Sequence, residues 1–399
     1  MKYAARLALS AILLSTTLMF FSCDDGYGVF SSIQEERRVA GSEIFKSASP
    51  SAITRFNGTY YVATARIFSG KTASWAVDPI SFPAPAESAT PDKAIGTSYL
   101  CTGLASDSTF LYAALRDQGG ASGYGIFSLS SLDGATWSSL VAQSVIGGSV
   151  EALFEANDRV FALVKPSSAA VYTVKALGAT GLSSIQGLEA LTSPLVGIAF
   201  DGTSYHYAIG TKLYTGTTTS AAENSSWHEV QSALGSSTKS ITSIVMSGKG
   251  LCLGTADGFI YGRENGAWRT TATALTYLAT GKAYRLTALI EAPVAGLAPR
   301  LIAGTGAYAG TVTARGYMEA SYGPEGTEFS AISHVPGGES GALLTSSTNY
   351  DTSFKDNAVI FFRVYSETDS GKRLFASISG NGLWSKTWDG MAWSDWQAE

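Results

Sequence analysis

Across 399 residues the chain carries 27 Lys and Arg against 32 Asp and Glu, a formal net charge of −5, and charged residues make up 15% of it, against about 25% in an ordinary soluble domain. An acidic balance with no basic run longer than two residues, such as Arg37-Arg38, excludes nucleic acid as a partner. The 43 glycines and the 11% of aromatic residues suit many short strands joined by tight turns, because glycine is costly in a helix interior and aromatic side chains favour a pleated surface.

The chain opens with Lys2 and Arg6, followed by a mostly apolar run from Leu7 to Phe21 that only small hydroxyl residues interrupt. That is the layout of a secretory signal peptide over residues 1–22. The uncharged run falls short of the roughly 20 residues that span a bilayer as a helix. Phe20-Phe21-Ser22-Cys23 resembles a bacterial lipobox, in its looser form like those of spirochaetes. The resemblance makes Cys23 the lipidated first residue of the mature chain. A permanent membrane span and an ordinary signal peptide that ends near a cysteine are the alternatives. Two or more acyl chains give stable attachment where one does not, so the expected location is the extracytoplasmic side of the inner or outer membrane, with Asp24 and Asp25 leaving the choice open. Residues 23–50 are polar and mixed in charge and read as the lipidated cysteine and a tether, reaching roughly 25 to 30 Å if flexible.

From residue 51 to 399 the chain repeats. An apolar strand with a small residue at its centre recurs as TYYVATA, FLYAALR, RVFALVK, SYHYAIG, GLCLGT, PRLIAGT and KRLFASI, centred on Ala63, Ala113, Ala162, Ala208, Gly254, Ala303 and Ala376, at spacings of 50, 49, 46, 46, 49 and 73. An alternating strand precedes each core strand, a third follows, and several units close on a turn and a tryptophan, at Trp137, Trp227, Trp268 and Trp393. Four short antiparallel strands per unit of this length is the pattern of a β-propeller blade. The expected fold is therefore all-β, a propeller of seven four-stranded blades. Six or eight remain open, because 337–371 contains two strand-like runs, GALLTSSTN and NAVIFFRVYSE, where one suffices. A helical array of similar period fails on the period-2 alternation and the abundance of Gly and Thr.

The segment SSLDGATW at 130–137 resembles the Asp-box turn of sialidase-like propellers with one residue missing. In that resemblance the Asp133 carboxylate accepts backbone N–H groups, Gly134 permits the turn and Trp137 packs between sheets. Asp-boxes are structural, so the likeness implies a propeller and not an enzyme.

Nothing in the sequence assembles a catalytic group. GxSxG, HExxH, P-loop and Cys-His patterns are missing. The Arg-Ile-Pro opening of a sialidase is missing too, SAITRFNG with Arg55 being the nearest segment. Glycosidases need two carboxylates about 5 to 10 Å apart; Asp107, Glu155, Asp201 and Asp257 are candidates, but most fall in hairpin turns, where Asp is the default residue. His206, His228 and His334 stand apart from one another, and no metal or cofactor is expected. Cys101 and Cys252 lie in apolar runs and read as two buried free thiols.

In length class, anchor and expected architecture the chain is similar to the propeller lipoprotein of the outer-membrane barrel-assembly machinery, although it lacks that family's docking motif. The expectation is a monomeric, membrane-anchored binding or scaffold module for an envelope or host protein or a glycan, without enzymatic activity. A glycan-processing, sialidase-like propeller is the alternative. Three residues past each central small residue stand Arg66, Arg116, Lys165, Thr211, Asp257, Gly306 and Ser379. Arg66, Arg116 and Lys165, in neighbouring units, are the candidate ligand-binding residues, a cationic arc suited to carboxylates or phosphates.

Overall fold

The computed structural model describes residues 45, 48–71, 74–77, 99–117, 123–130, 136–167, 170–233, 240–264, 267–268, 273–274, 276–277, 282–294, 297–306, 316–321, 333–335, 357–368, 371–394 and 396–399. All belong to one compact unit, Ser42–Glu399. Cys23, Asp133, Gly134 and the run GALLTSSTN lie outside them.

Alternation with period 2 and turn residues at the joints give antiparallel meanders throughout. The first sheet holds β1 (Ala52–Phe56), β2 (Thr59–Ala63), β3 (Ile67–Lys71) and β4 (Ser74–Val77); the second holds β5 (Tyr99–Ser106), β6 (Phe110–Asp117), β7 (Gly123–Ser130) and β8 (Trp137–Val141). After a short helix, α1 (Gln143–Ile146), come β9 (Gly148–Ala156), β10 (Arg159–Pro166), β11 (Thr173–Gly178) and β12 (Gly181–Ser184). The fourth sheet is β13 (Leu195–Phe200), β14 (Tyr205–Ile209), β15 (Lys212–Gly216) and β16 (Ala221–Glu223), followed by α2 (Ser225–Ala233). Next are β17 (Ile241–Ser247), β18 (Gly250–Thr255), β19 (Phe259–Glu264), β20 (Ala267–Trp268) and β21 (Thr273–Ala274), and a ribbon of β22 (Thr276–Tyr277) and β23 (Lys282–Ala283). The last two sheets are β24 (Arg285–Val294), β25 (Leu297–Gly306), β26 (Tyr317–Ser321) and β27 (Ser333–Val335), then β28 (Val359–Ser366), β29 (Lys372–Ile378), β30 (Gly382–Trp388) and β31 (Gln397–Ala398).

The protein is an all-β propeller with blades of four strands. Among the described residues, six sheets have four strands each, one fewer than the seven expected. The sheet that departs has five, because β20 pairs only with Arg263 and Glu264 of β19 and leaves Phe259 and Ile260 to β21. First strands of successive sheets adjoin, from β1 to β5, β9, β13, β17, β24 and β28, and β28 returns to β1. The run NAVIFFRVYSE supplies β28.

The repeated small residue is explained by its place. Ala63, Ala113, Ala162, Ala208, Ala303 and Ala376 all lie on second strands and are fully buried. At the same position a Cβ on Gly254 would stand 2.3 Å from the Ser243 hydroxyl of the first strand. Cores form between sheets rather than at one centre: Tyr61, Ile67, Leu104, Phe127 and Trp137 join the first two, and Phe161, Leu163, Ile185 and Tyr207 join the third and fourth. Burying each such side chain contributes about 1.5–3 kcal/mol relative to leaving it exposed.

One local expectation changes. Trp227 sits in α2 rather than a fourth strand, because Asn224 Oδ1 accepts the Trp227 N–H at 3.1 Å and caps the helix. Phe45 is buried with Ile53, Val62, Phe375 and Leu383 between the first and last sheets.

Candidate functional site

Most of the carboxylates that the sequence offers for chemistry are spent on turns. In the β5–β6 hairpin, Asp107 Oδ1 accepts the N–H groups of Thr109 and Phe110 at 2.8 and 2.7 Å, and its other oxygen accepts the Tyr112 hydroxyl at 2.9 Å. Asp201 does the same between β13 and β14, accepting Thr203 and Ser204 N–H at 2.9 and 2.7 Å and holding His206 Nε2 at 2.8 Å. Burial pushes the Asp201 carboxyl up, but those N–H groups and His206 outweigh it and hold it below the usual range. Burial likewise lowers His206, against the pull of Asp201. Asp257 accepts the Thr255 hydroxyl at 2.6 Å beside its own turn.

Glu155 is different. It stands near the end of β9, one residue before a turn in which Asn157 and Asp158 both take positive φ, the geometry that suits a tight hairpin. Its Oε2 accepts the Thr54 hydroxyl from β1 at 3.0 Å, and the backbone N–H of Ser106 on β5 also reaches it. Thr54 and Ser106 share a hydrogen bond of 2.6 Å. Three sheets thus fix one carboxylate. Burial raises its pKa, and Arg363 opposes the rise, while solvent still reaches the side chain from the channel. Arg363, on β28, is also solvent-accessible and gives one N–H to the Phe362 carbonyl at 3.2 Å. Two positions on, the Tyr365 hydroxyl donates to the Ile53 carbonyl at 2.8 Å, and burial raises its pKa.

Of these groups, Glu155 and Arg363 line the channel at the centre of the ring, while Thr54, Ser106 and Tyr365 lie behind them. A cavity of about 260 Å³ takes lining residues from the first strands, or the residues abutting them, of every sheet except the β22–β23 ribbon, Ile53, Leu104, Glu155, Ile198, Ser243 and Arg363 among them. A second cavity, about 360 Å³, lies toward the ends of those strands against Ile198, Phe200, Met246, Leu289, Phe362 and Arg363. Among the described residues that line either cavity, Glu155 is the one carboxylate and Arg363 the one cation.

Arg66, Arg116 and Lys165 are all exposed. Arg116 lies opposite Leu100 and Lys165 opposite Ser149, at the starts of β5 and β9, and Arg66 follows the end of β2. They therefore belong to the face opposite the Asn157 turn. None of the three lines either cavity. The Lys165 ammonium stands 5.8 Å from the centre of the Tyr172 ring. Trp137 is buried among the core of the first two sheets. Cys101 and Cys252 are free and buried, and burial pushes each thiol up to about 12. No group of three metal-ligating side chains occurs among the described residues, and no helix among them is long and apolar enough to cross a membrane.

Sequence reasoning passed over Arg363, Tyr365, Thr54 and Ser106. The one available signal was a lone Arg inside IFFRVYS.

No family model and no curated protein matches the chain. Among solved structures, an ancestral GH74 enzyme superposes with a TM-score of 0.56 at 10% identity, covering 89% of this chain, which spans 46% of that one. The WD40 beta propeller domain of Doa1 gives 0.47 at 10% identity over 85% of this chain and 92% of its own. An extracellular domain of a one-component system from B. thetaiotaomicron gives 0.49 at 12% identity, over 86% of this chain and 38% of its own. At these identities the likeness is one of fold.

Proposed function

We propose that this chain is an exported lipoprotein, anchored through Cys23, whose propeller is a binding or scaffold module for an envelope or host partner and performs no catalysis. We count the five-stranded sheet as a blade, which makes a ring of seven. The observation that carries the reading is the fate of the carboxylates. Asp107 and Asp201 are consumed by their turns, and among the described residues Glu155 is the one carboxylate lining the channel cavities, whereas glycoside hydrolysis needs a pair about 5 to 10 Å apart. The propeller fold, with rigid blades and exposed turns, supplies a platform for a partner by analogy with other repeat rings. On this reading Arg66, Arg116 and Lys165 form the contact arc.

The test has two arms. Metabolic labelling with a fatty acid should mark the wild-type chain and not Cys23→Ala; label that persists in the variant removes the anchor from the account. Capture from envelope extracts should weaken when Arg66, Arg116 and Lys165 are all replaced by Ala, and the difference should shrink as salt rises. Unchanged capture moves the contact elsewhere on the ring. Turnover of a glycan by the purified chain would instead favour the sialidase-like alternative.

A further inference from the structure

The channel end that carries Glu155 and Arg363 has no part in the arc, and its chemistry is more specific. The cavity of about 360 Å³ is an open cup whose side chains are mostly apolar, Ile198, Phe200, Met246, Leu289 and Phe362 among them, with backbone polar groups between them and Arg363 also in its lining. Arg363 also lines the neighbouring cavity, where Glu155 stands. Glu155 and Arg363 line the same cavity, yet the described ion pairs do not include them. A direct bridge would have closed the site on itself. Instead Glu155 is tied to Thr54 and the Ser106 N–H, and Arg363 commits one N–H to the Phe362 carbonyl out of the five a guanidinium carries.

A carboxylate and a guanidinium held apart beside an apolar wall are complementary to a small molecule with the reverse arrangement. We propose that this end of the channel binds a zwitterion of the α-amino-acid type with an apolar side chain. Its carboxylate pairs with the Arg363 fork, its ammonium with Glu155, and its side chain enters the cup of Phe200, Met246 and Phe362. The cavity of about 360 Å³ lies in the range of roughly 300–1,000 Å³ usual for small-molecule sites. Other acidic groups on this rim line neither cavity: Asp158 receives the Ser108 hydroxyl at 2.8 Å, Glu291 receives Gly248 N–H at 2.9 Å, and Glu367 takes the Tyr60 hydroxyl. Glu155 is thus the carboxylate placed to meet an ammonium inside the channel. The proposal deepens the binding-module reading without resting on its arc, since Arg66, Arg116 and Lys165 lie on the opposite face.

Calorimetric titration of the purified full chain with phenylalanine, phenylalaninamide and 3-phenylpropionate tests it. The second compound lacks the carboxylate and the third the ammonium. Phenylalanine should bind, and each analogue should bind about tenfold more weakly, the loss of one charge-assisted contact. Arg363→Met should weaken phenylalanine about tenfold and leave phenylalaninamide unaffected. Glu155→Gln should weaken phenylalanine and leave 3-phenylpropionate unaffected. Absence of phenylalanine binding, equal affinity for all three compounds, or variants that weaken all three alike would each overturn the proposal. Melting curves check that the variants fold, and the three-ligand comparison on the unaltered protein carries the test if one does not. Loss of this site with partner capture intact would leave the arc standing, and the reverse would leave the channel site standing.

Discussion

Asp201 and Glu155 are carboxylates near the same end of the ring, and their surroundings push them in opposite directions. Asp201 sits inside a turn whose N–H groups surround it, so its charged form is favoured. Glu155 sits where a strand faces the channel, held by one hydroxyl and one N–H, and there partial desolvation outweighs those donors and Arg363, so its pKa is raised although solvent reaches it. A turn carboxylate of the first kind stabilises the fold; one of the second kind is maintained against a cost and is available to a ligand. The same contrast separates Asp107, bound to Thr109, Phe110 and Tyr112, from everything that lines the cavities.

The largest effect comes from opening the ring that positions both carboxylates. Deleting residues 357–399 takes away the last sheet, and with it Arg363, Tyr365 and the packing of Phe375 and Leu383 on Ile53 and Val62. A ring opened in this way exposes strand edges and an interface core, so cooperative thermal unfolding should disappear. A truncated chain that still melts in one sharp step would separate the channel from ring closure.

The next effect divides the two carboxylates by their pH response. Asp201→Ala should cost about 1–2 kcal/mol in urea unfolding at neutral pH, the loss of several modest hydrogen bonds. Because the folded Asp201 pKa is depressed, its contribution is complete above the ordinary aspartate pKa and is lost as pH falls through the folded value. Asp201→Asn keeps a turn acceptor and should flatten that acid limb. His206 adds a second limb. Its folded pKa is also depressed, so stability declines as pH falls below the ordinary imidazole value of 6.5. Glu155 reverses the sign: a raised folded pKa means its contribution is present below the ordinary glutamate pKa and is lost as pH rises through the folded value. Glu155→Gln should therefore unfold at an equal or higher urea concentration than wild type at neutral pH. A fall as large as that for Asp201→Ala would erase the distinction between the two.

A smaller effect concerns the surface. Replacing Arg66, Arg116 or Lys165 singly by Ala should change stability by no more than about 0.5 kcal/mol, as for exposed positions without a structural role. Urea midpoints check it. A larger loss would make these side chains part of the fold rather than a contact arc.

What was legible in the sequence was local. The small residue at the centre of each second strand announces itself because every sheet needs close approach at that point, and Ala63 through Ala376 obey the same demand. Hairpin aspartates are legible for the same reason, since their partners lie within five residues. The channel site was not, because its members come from β1, β5, β9 and β28 and meet only when the ring closes. Thr54 and Glu155 are 101 residues apart, and Tyr365 and Ile53 are 312 apart. The fifth strand beside β19 could not be read from the repeat, because it depends on how few residues β20 pairs with.

The central claim is that the ring binds a partner without altering it. Capture of partners from envelope extracts on the purified chain, followed by mass measurement of each released species against its uncaptured counterpart, tests this most directly. The account predicts a retained partner of unchanged mass whose recovery falls for the Arg66, Arg116 and Lys165 triple variant. A partner released shortened by a glycan unit, with the shortening abolished by Glu155→Gln, would contradict it.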